Sequence, residues 1–151
     1  MAFNQSKYIR ESSNRAGISD AICYVYISYH LLNHMEFLSL EPFVPSGSDL
    51  EGSKQLFQEL GFKINWNSGD YIGFQKDSCR FILQRYDQPN FAQNFMLSVK
   101  VTDVTAFRQL VIDKQLPQRF NIRIGEINQE PYGKEFNIID IAGVCWHFVE
   151  Q

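Results

Sequence analysis

Two stretches of this sequence follow the same order of elements, and that internal repetition limits the fold more than any other feature. In the first, "EPFVPS" reads as a short strand and "SDLEGSKQLFQELGF" as an amphipathic helix with Leu50, Ser53, Leu56, Phe57 and Leu60 on one stripe. Asp49 stands near the start of that helix and Gly61 at its end, where a cap and a stop belong. "FKINWN", "DYIGFQK" and "CRFILQR" follow as three strands, parted by the turn signals "NSG" and "DS". The second stretch opens with "FMLSVKVT", where Leu97, Val99 and Val101 alternate with Met96, Ser98 and Lys100 as the two faces of a strand. The helix "DVTAFRQLVIDK" comes next, with Asp103 at its start and Val104, Phe107, Leu110 and Val111 as its inner stripe. A strand within "RFNIRIGEI" and the pair "KEFNIID" and "VCWHFVE" complete the set. Each stretch is a βαβββ module, about 41–86 and 94–150, and the expected class is α+β, with the two modules forming a curved mixed sheet.

At 151 residues, 44% hydrophobic and 15% aromatic, the chain can bury one core without staples, so 35–151 is expected to be a single domain. A formal charge of -3 and a pI near 5.6 leave no basic face to release counterions from phosphates, and nucleic acid is not an expected partner. Cys23, Cys79 and Cys145 are odd in number and lack both CxxC spacing and a His/Cys cluster suited to zinc. They read as buried thiols of a reducing, cytoplasmic compartment. Residues 1–34 form an extension of different character, in which polar "NQSKYIRESSNRAGISD" leads into the apolar run "AICYVYISYHLL". That run is shorter than the roughly 20 residues a spanning helix needs, and the basic flank and small-residue cleavage site of a signal peptide are missing. No membrane association is expected. The extension is either an accessory element lying on the domain or a segment of little functional weight ahead of a natural start at Met35.

The two modules, with the ending "PYGKEFNIIDIAGVCWHFVE", resemble the vicinal oxygen chelate superfamily and, within it, the glyoxalase and bleomycin-resistance-protein branch. The resemblance spans about Glu41 to Glu150. Its strongest part is the last hairpin, where members commonly read aromatic-Gly-x-x-Glu-Phe, an apolar strand and then Asp-Pro-Asp-Gly. Here Tyr132, Gly133, Glu135 and Phe136, with Lys134 alone between the glycine and the glutamate and so one residue shorter than that pattern, precede Asp140 and Gly143, while Ile141 and Ala142 replace the usual Pro and Asp. Asp140, to accept a local hydrogen bond, and Gly143, to take a positive φ, are the residues a tight turn most needs.

The resemblance implies four ligand positions in metal-dependent members, and these fall on Pro42, Leu83, Met96 and His147. Proline and leucine offer no donor atom, a thioether is a soft ligand, and a single imidazole cannot supply the three protein ligands of catalytic zinc. No metal or other cofactor is therefore expected. His147 shares its strand face with Cys145 and Val149, opposite Val144, Trp146 and Phe148, and in the parent fold that face lines the ligand cup. It is as readily a structural residue as a ligand contact. Alternation adds Met96, Ser98 and Lys100 on one strand and Phe81, Leu83 and Arg85 on another, with Tyr71, Gly73 and Gln75 between. Trp66 ends "FKINW" and Tyr132 lies in the loop before the last hairpin. The candidate ligand-binding residues are thus Trp66, Tyr71, Phe81, Arg85, Met96, Ser98, Lys100, Tyr132 and His147, an apolar, aromatic concavity with a few polar points. Packing in a core or a dimer interface is the competing account of Trp66 and Tyr71. Glu126 and Glu130 read as parts of a solvated loop.

No catalytic residue is assigned. Cys145 and His147 lie about 7 Å apart at Cα, and nothing in the sequence marks an activated thiolate. The expected function is metal-free binding of a small apolar or aromatic compound, cationic ones included, in the cleft of a homodimer, as the resemblance to bleomycin resistance proteins implies. The alternatives are a divergent lyase, isomerase or dioxygenase that uses His147, with Glu135 as the one other acid/base candidate, and a partner protein whose cup has filled with Phe81, Leu83 and Met96.

Overall fold

The computed structural model describes residues 36–151, and the expectations for residues 1–34, Cys23 included, lie outside the described residues. Ser39–Gln151 forms one compact unit. Its first sheet has four strands, β1 (Phe43–Pro45), β2 (Lys63–Asn67), β3 (Tyr71–Lys76) and β4 (Cys79–Gln84), in the order β1-β4-β3-β2. β1 runs parallel to β4, and the other neighbours are antiparallel. The second sheet contains β5 (Met96–Val101), β6 (Arg123–Ile124), β7 (Asn128–Glu130), β8 (Gly133–Ile139) and β9 (Cys145–Glu150), in the order β5-β9-β8-β6 with β7 also on β8. β5 is parallel to β9, as β1 is to β4. The repetition in the sequence is therefore a repetition of strand order and polarity.

Each module carries one main helix, α1 (Leu50–Glu59) in the first and, after the short α2 (Pro89–Ala92), α3 (Val104–Asp113) in the second. Asp49 and Asp103 start them in the same way: each carboxylate accepts a backbone N–H, from Gly52 and Ala106, both at 2.8 Å. The stripe Leu50, Ser53, Leu56, Phe57 and Leu60 is buried as expected, and the Ser53 hydroxyl donates to the Ser46 carbonyl at 2.8 Å. Val104 and Val111 are buried on α3, but Leu110 is 41% exposed, because a ten-residue helix covers its sheet with Val104, Phe107 and Val111 and leaves Leu110 at the margin. The loop after α3 contains a further short helix, α4 (Leu116–Phe120), between left-handed Gln115 and Asn121.

The helix-facing sides of the two sheets meet in one core. Phe57 of α1 packs on Phe74 and Phe81 of the first sheet and on Trp146 of the second, at ring separations of 5.8, 4.7 and 5.2 Å. Phe81 itself lies 5.2 Å from Trp146, and Phe107 of α3 covers Phe136 and Phe148. Because both sheets direct their helix sides into this shared core, each keeps a second, open side.

Burial overturns part of the expected cup. β3 and β4 pair Phe74 with Phe81 and Ile72 with Leu83, so Phe81 and Leu83 share the helix side and are buried at 2% and 0% exposure. "RFILQ" is apolar at three consecutive positions, and no alternation told its two faces apart. The open-side residues of β4 are Arg80, Ile82 and Gln84, and the cup is not filled by Phe81 or Leu83.

Candidate functional site

The open side of the first sheet is an aromatic floor. A bulge between Ile64 and Trp66 sets Trp66 opposite Gly73, and the indole lies across the spot where a side chain at 73 would stand. A Cβ there would collide with the ring, so this close approach requires glycine. Tyr71 and Phe43 complete the floor, edge to face at 6.0 Å, with Ile82 between their strands. Trp66 is 43% exposed and Tyr71 40%, so neither is a core residue. Arg85 lies off this floor: its Nε donates to Asp70 at 2.7 Å, and both side chains are exposed. Phe43 and Ile82 were missed by the sequence reading, because only the parallel β1–β4 pairing brings them beside Tyr71.

The open side of the second sheet is polar and titratable. Cross-strand pairing sets Met96, Cys145 and Ile139 in one row and Ser98, His147 and Asn137 in the next, with Lys100, Val149 and Glu135 beyond. Met96, Ser98, Lys100 and His147 thus share a face, as alternation indicated. Met96 is 65% exposed at its margin. A Cα spacing of about 7 Å does not keep these two side chains apart: the Cys145 thiol lies 3.3 Å from His147 Nε2. Side chains on alternate residues of a strand can lean along it and close the gap that their Cα atoms leave. The other ring nitrogen, Nδ1, faces the Glu135 carboxylate at 3.5 Å, and Glu135 accepts from the Tyr132 hydroxyl at 3.1 Å. Tyr132, Glu135, His147 and Cys145 therefore form one chain of contacts.

Burial pushes the Cys145 thiol up, the Asn137 amide beside it pulls down, and the carboxylates of Glu135 and Asp140 add to the rise. In the tautomer that carries its proton on Nδ1, toward the Glu135 carboxylate, Nε2 is free to accept from the thiol. Accepting from the Tyr132 hydroxyl, Glu135 pushes that phenol up as well. Cys79 and Cys145 are both only partly buried, not the buried thiols expected.

A turn holds this strand in place. Asp140 accepts from the backbone N–H groups of Ala142, Gly143 and Val144 at 3.0, 3.0 and 2.9 Å, and from the Trp146 indole at 2.9 Å. Gly143 takes φ +100°. Loss of the usual Pro and Asp at 141 and 142 therefore leaves the turn intact. Burial nevertheless pushes Asp140 up to about 6 against these four hydrogen bonds.

These residues do not fit a divalent ion. Leu83 is in the core, and the direct neighbours of His147 across the sheet are Ser98 and Asn137. Cys145 and Glu135 approach opposite edges of the imidazole and cannot converge with it on one ion. Among the described residues no group of three or more His, Cys, Asp and Glu is placed to hold a metal. A separate cleft of about 440 Å³ lies at the seam between the modules, with Phe62, Val99, Phe107 and Phe148 in its walls. Of the expected site residues only Lys100 reaches it. Lys76 there already donates to the Leu60 carbonyl and sits 5.2 Å over Phe107.

Known structures share this arrangement of paired modules. The bleomycin-binding protein from bleomycin-producing Streptomyces verticillus, complexed with copper(II)-bleomycin, matches at TM-score 0.63 and 21% identity, over 78% of this chain and 98% of that one. A bleomycin resistance determinant encoded on the transposon Tn5 matches at TM-score 0.64 and 16% identity, over 75% and 97%. The fold is that of the vicinal oxygen chelate superfamily. A genomically encoded fosfomycin resistance protein from Listeria monocytogenes, complexed with Mn(II) and sulfate, has the same vicinal oxygen chelate fold at TM-score 0.61 and 10% identity, over 77% and 91%. No protein-family model and no curated protein matches the sequence. At these identities the likeness establishes the fold, and what the open faces hold depends on this chain's own residues. Among the described residues no helix is long and apolar enough to cross a membrane.

Proposed function

We propose that this protein is a metal-free binding protein for a small apolar or aromatic compound, cationic ones included, held in a cleft between two copies of the chain. The aromatic floor carries the reading: Trp66, Tyr71 and Phe43 lie half exposed on a sheet face that nothing in the same module covers. An exposed aromatic group of this kind is what ligand pockets and interfaces are built from. Because the helix sides of both sheets meet in the core, the open faces are turned outward and a second chain is needed to make a cleft of them. The polar residues of the second sheet, Ser98, Lys100 and His147, would then supply orientation to a ligand resting on the first. Domain 35–151 is sufficient for this, and a chain shortened to begin at Met35 should unfold cooperatively.

Bleomycin is the first probe, since it is bound by proteins of the same fold. Sedimentation should give twice the 17.6 kDa chain mass at micromolar concentration, and calorimetric titration with bleomycin or a panel of planar aromatic cations should show saturable heat. A species of 17.6 kDa alone removes the cleft. A dimer that binds none of these compounds removes the ligand class.

A further inference from the structure

We propose that Cys145 is a nucleophile, with His147 as its base and Glu135 as the residue that positions the base, and that this face captures compounds carrying an α,β-unsaturated carbonyl. Three observations converge. The Cys145 sulfur is 3.3 Å from Nε2, the Glu135 carboxylate is 3.5 Å from Nδ1, and all three side chains leave the same side of adjoining strands. The thiol is partly exposed, so a compound on the open face can reach it. Nucleophile, base and orienting carboxylate in that order are the parts an activated nucleophile needs.

The chemistry of the surroundings selects the electrophile. Sulfur is a soft nucleophile and attacks the β-carbon of a polarised alkene in preference to a hard carbonyl carbon. In that step the S–H bond breaks as the S–C bond forms, and the alkene π pair shifts to an enolate. Nε2 holds the proton and returns it to the α-carbon. The sum is addition of S–H across the double bond, with no leaving group and no other reactant. One base that takes and returns one proton is what His147 offers. Met96 and Ile139 flank Cys145 as apolar walls for the alkene, and Ser98 and Asn137 flank His147 where the enolate oxygen would form. Burial and two carboxylates push the thiol up against the pull of Asn137, and the imidazole 3.3 Å away is placed to take the proton as the sulfur attacks. This inference does not rest on the dimer cleft, since a small probe reads one thiol of the chain.

The test is labelling of the full-length protein with N-ethylmaleimide, followed peptide by peptide in a mass spectrometer with Cys79 as the internal reference. Cys145 should react about tenfold or more faster than Cys79, and His147→Ala should slow Cys145 by about tenfold or more while leaving Cys79 unchanged. Imidazole added to the His147→Ala protein should restore part of the lost rate, which repacking of a structural histidine would not produce. Should His147→Ala unfold, seen as faster labelling of Cys79, the closely isosteric Glu135→Gln decides: slower Cys145 labelling supports the proposal, and an unchanged or faster rate overturns it. Cys145 reacting no faster than Cys79 in the wild-type protein also overturns it.

Discussion

The two modules share strand order, helix capping and a parallel outer pair, yet their open faces differ in kind. The first presents Phe43, Trp66 and Tyr71, with Arg80 and Lys63 farther along the same side. The second presents Cys145, His147 and Glu135 in mutual contact. Both helix sides, in contrast, are aromatic and aliphatic and merge at Phe57, Phe81 and Trp146. The alternation of a strand divides the work: the inward half of each module sets the fold, and the outward half is free to diverge.

Trp146→Ala strikes where the two modules are most alike. The substitution empties the seam and leaves Asp140 without its indole partner, so stability to urea should fall by about 3 to 5 kcal/mol. A loss below about 1 kcal/mol would mean that the modules do not share a core. Asp140 gives the next largest effect. Its pKa is raised from 3.8 to about 6, so the group's contribution is fully present below the unfolded value and is lost as pH rises through about 6. On the order of 3 kcal/mol of stability should disappear across that window, since each pKa unit is about 1.4 kcal/mol. Asp140→Asn should flatten the dependence in denaturation curves taken between those limits.

The open faces should respond differently. Trp66→Ala should change stability by about 1 kcal/mol or less, as an exposed position does, while costing about 2 kcal/mol or more in calorimetric binding to the aromatic floor. Gly73→Ala should reproduce the binding loss without removing an aromatic group, because the new methyl displaces the indole. If Gly73→Ala binds normally, the floor is not the ligand surface. On the second sheet His147→Ala should weaken a cup ligand by only about 0.5 to 1.5 kcal/mol and leave metal content unchanged. Zinc, nickel, iron and manganese should not move the melting temperature, whereas an ion at a hundred times its dissociation constant would add about 2.7 kcal/mol. One metal per chain that vanishes in His147→Ala would sink the metal-free reading.

The two main helices and most strands could be read from the sequence because their patterns were locally complete, whereas β7, with Glu130 in it, lies where a solvated loop was expected, its three polar residues showing no alternation. Asp49 and Asp103 cap, the stripes repeat at helical spacing, and Leu97, Val99 and Val101 alternate cleanly. Faces were legible only where polar and apolar residues took turns. "RFILQ" has no such turn-taking, and Phe81 was assigned to the wrong side. The contact of Cys145 with His147 depends on side-chain lean and on Glu135 from the neighbouring strand, and neither is encoded in local spacing. The short helices α2 and α4 begin with proline near their first residues and are too brief for a period to show.

The bulge at Ile64–Trp66 decides which residue of β2 meets solvent. In an unbroken ladder Asn65 would oppose Gly73 and Trp66 would oppose Ile72, turning the indole to the helix side. One residue beyond that ladder turns it outward, where glycine across the strand leaves room for it. Loss of the extra residue, Asn65, would keep Trp66 opposite Gly73 in a regular ladder, whereas pairing Asn65 itself with Gly73 would turn the indole inward. The ligand-facing tryptophan is thus a matter of strand register and not of residue type alone.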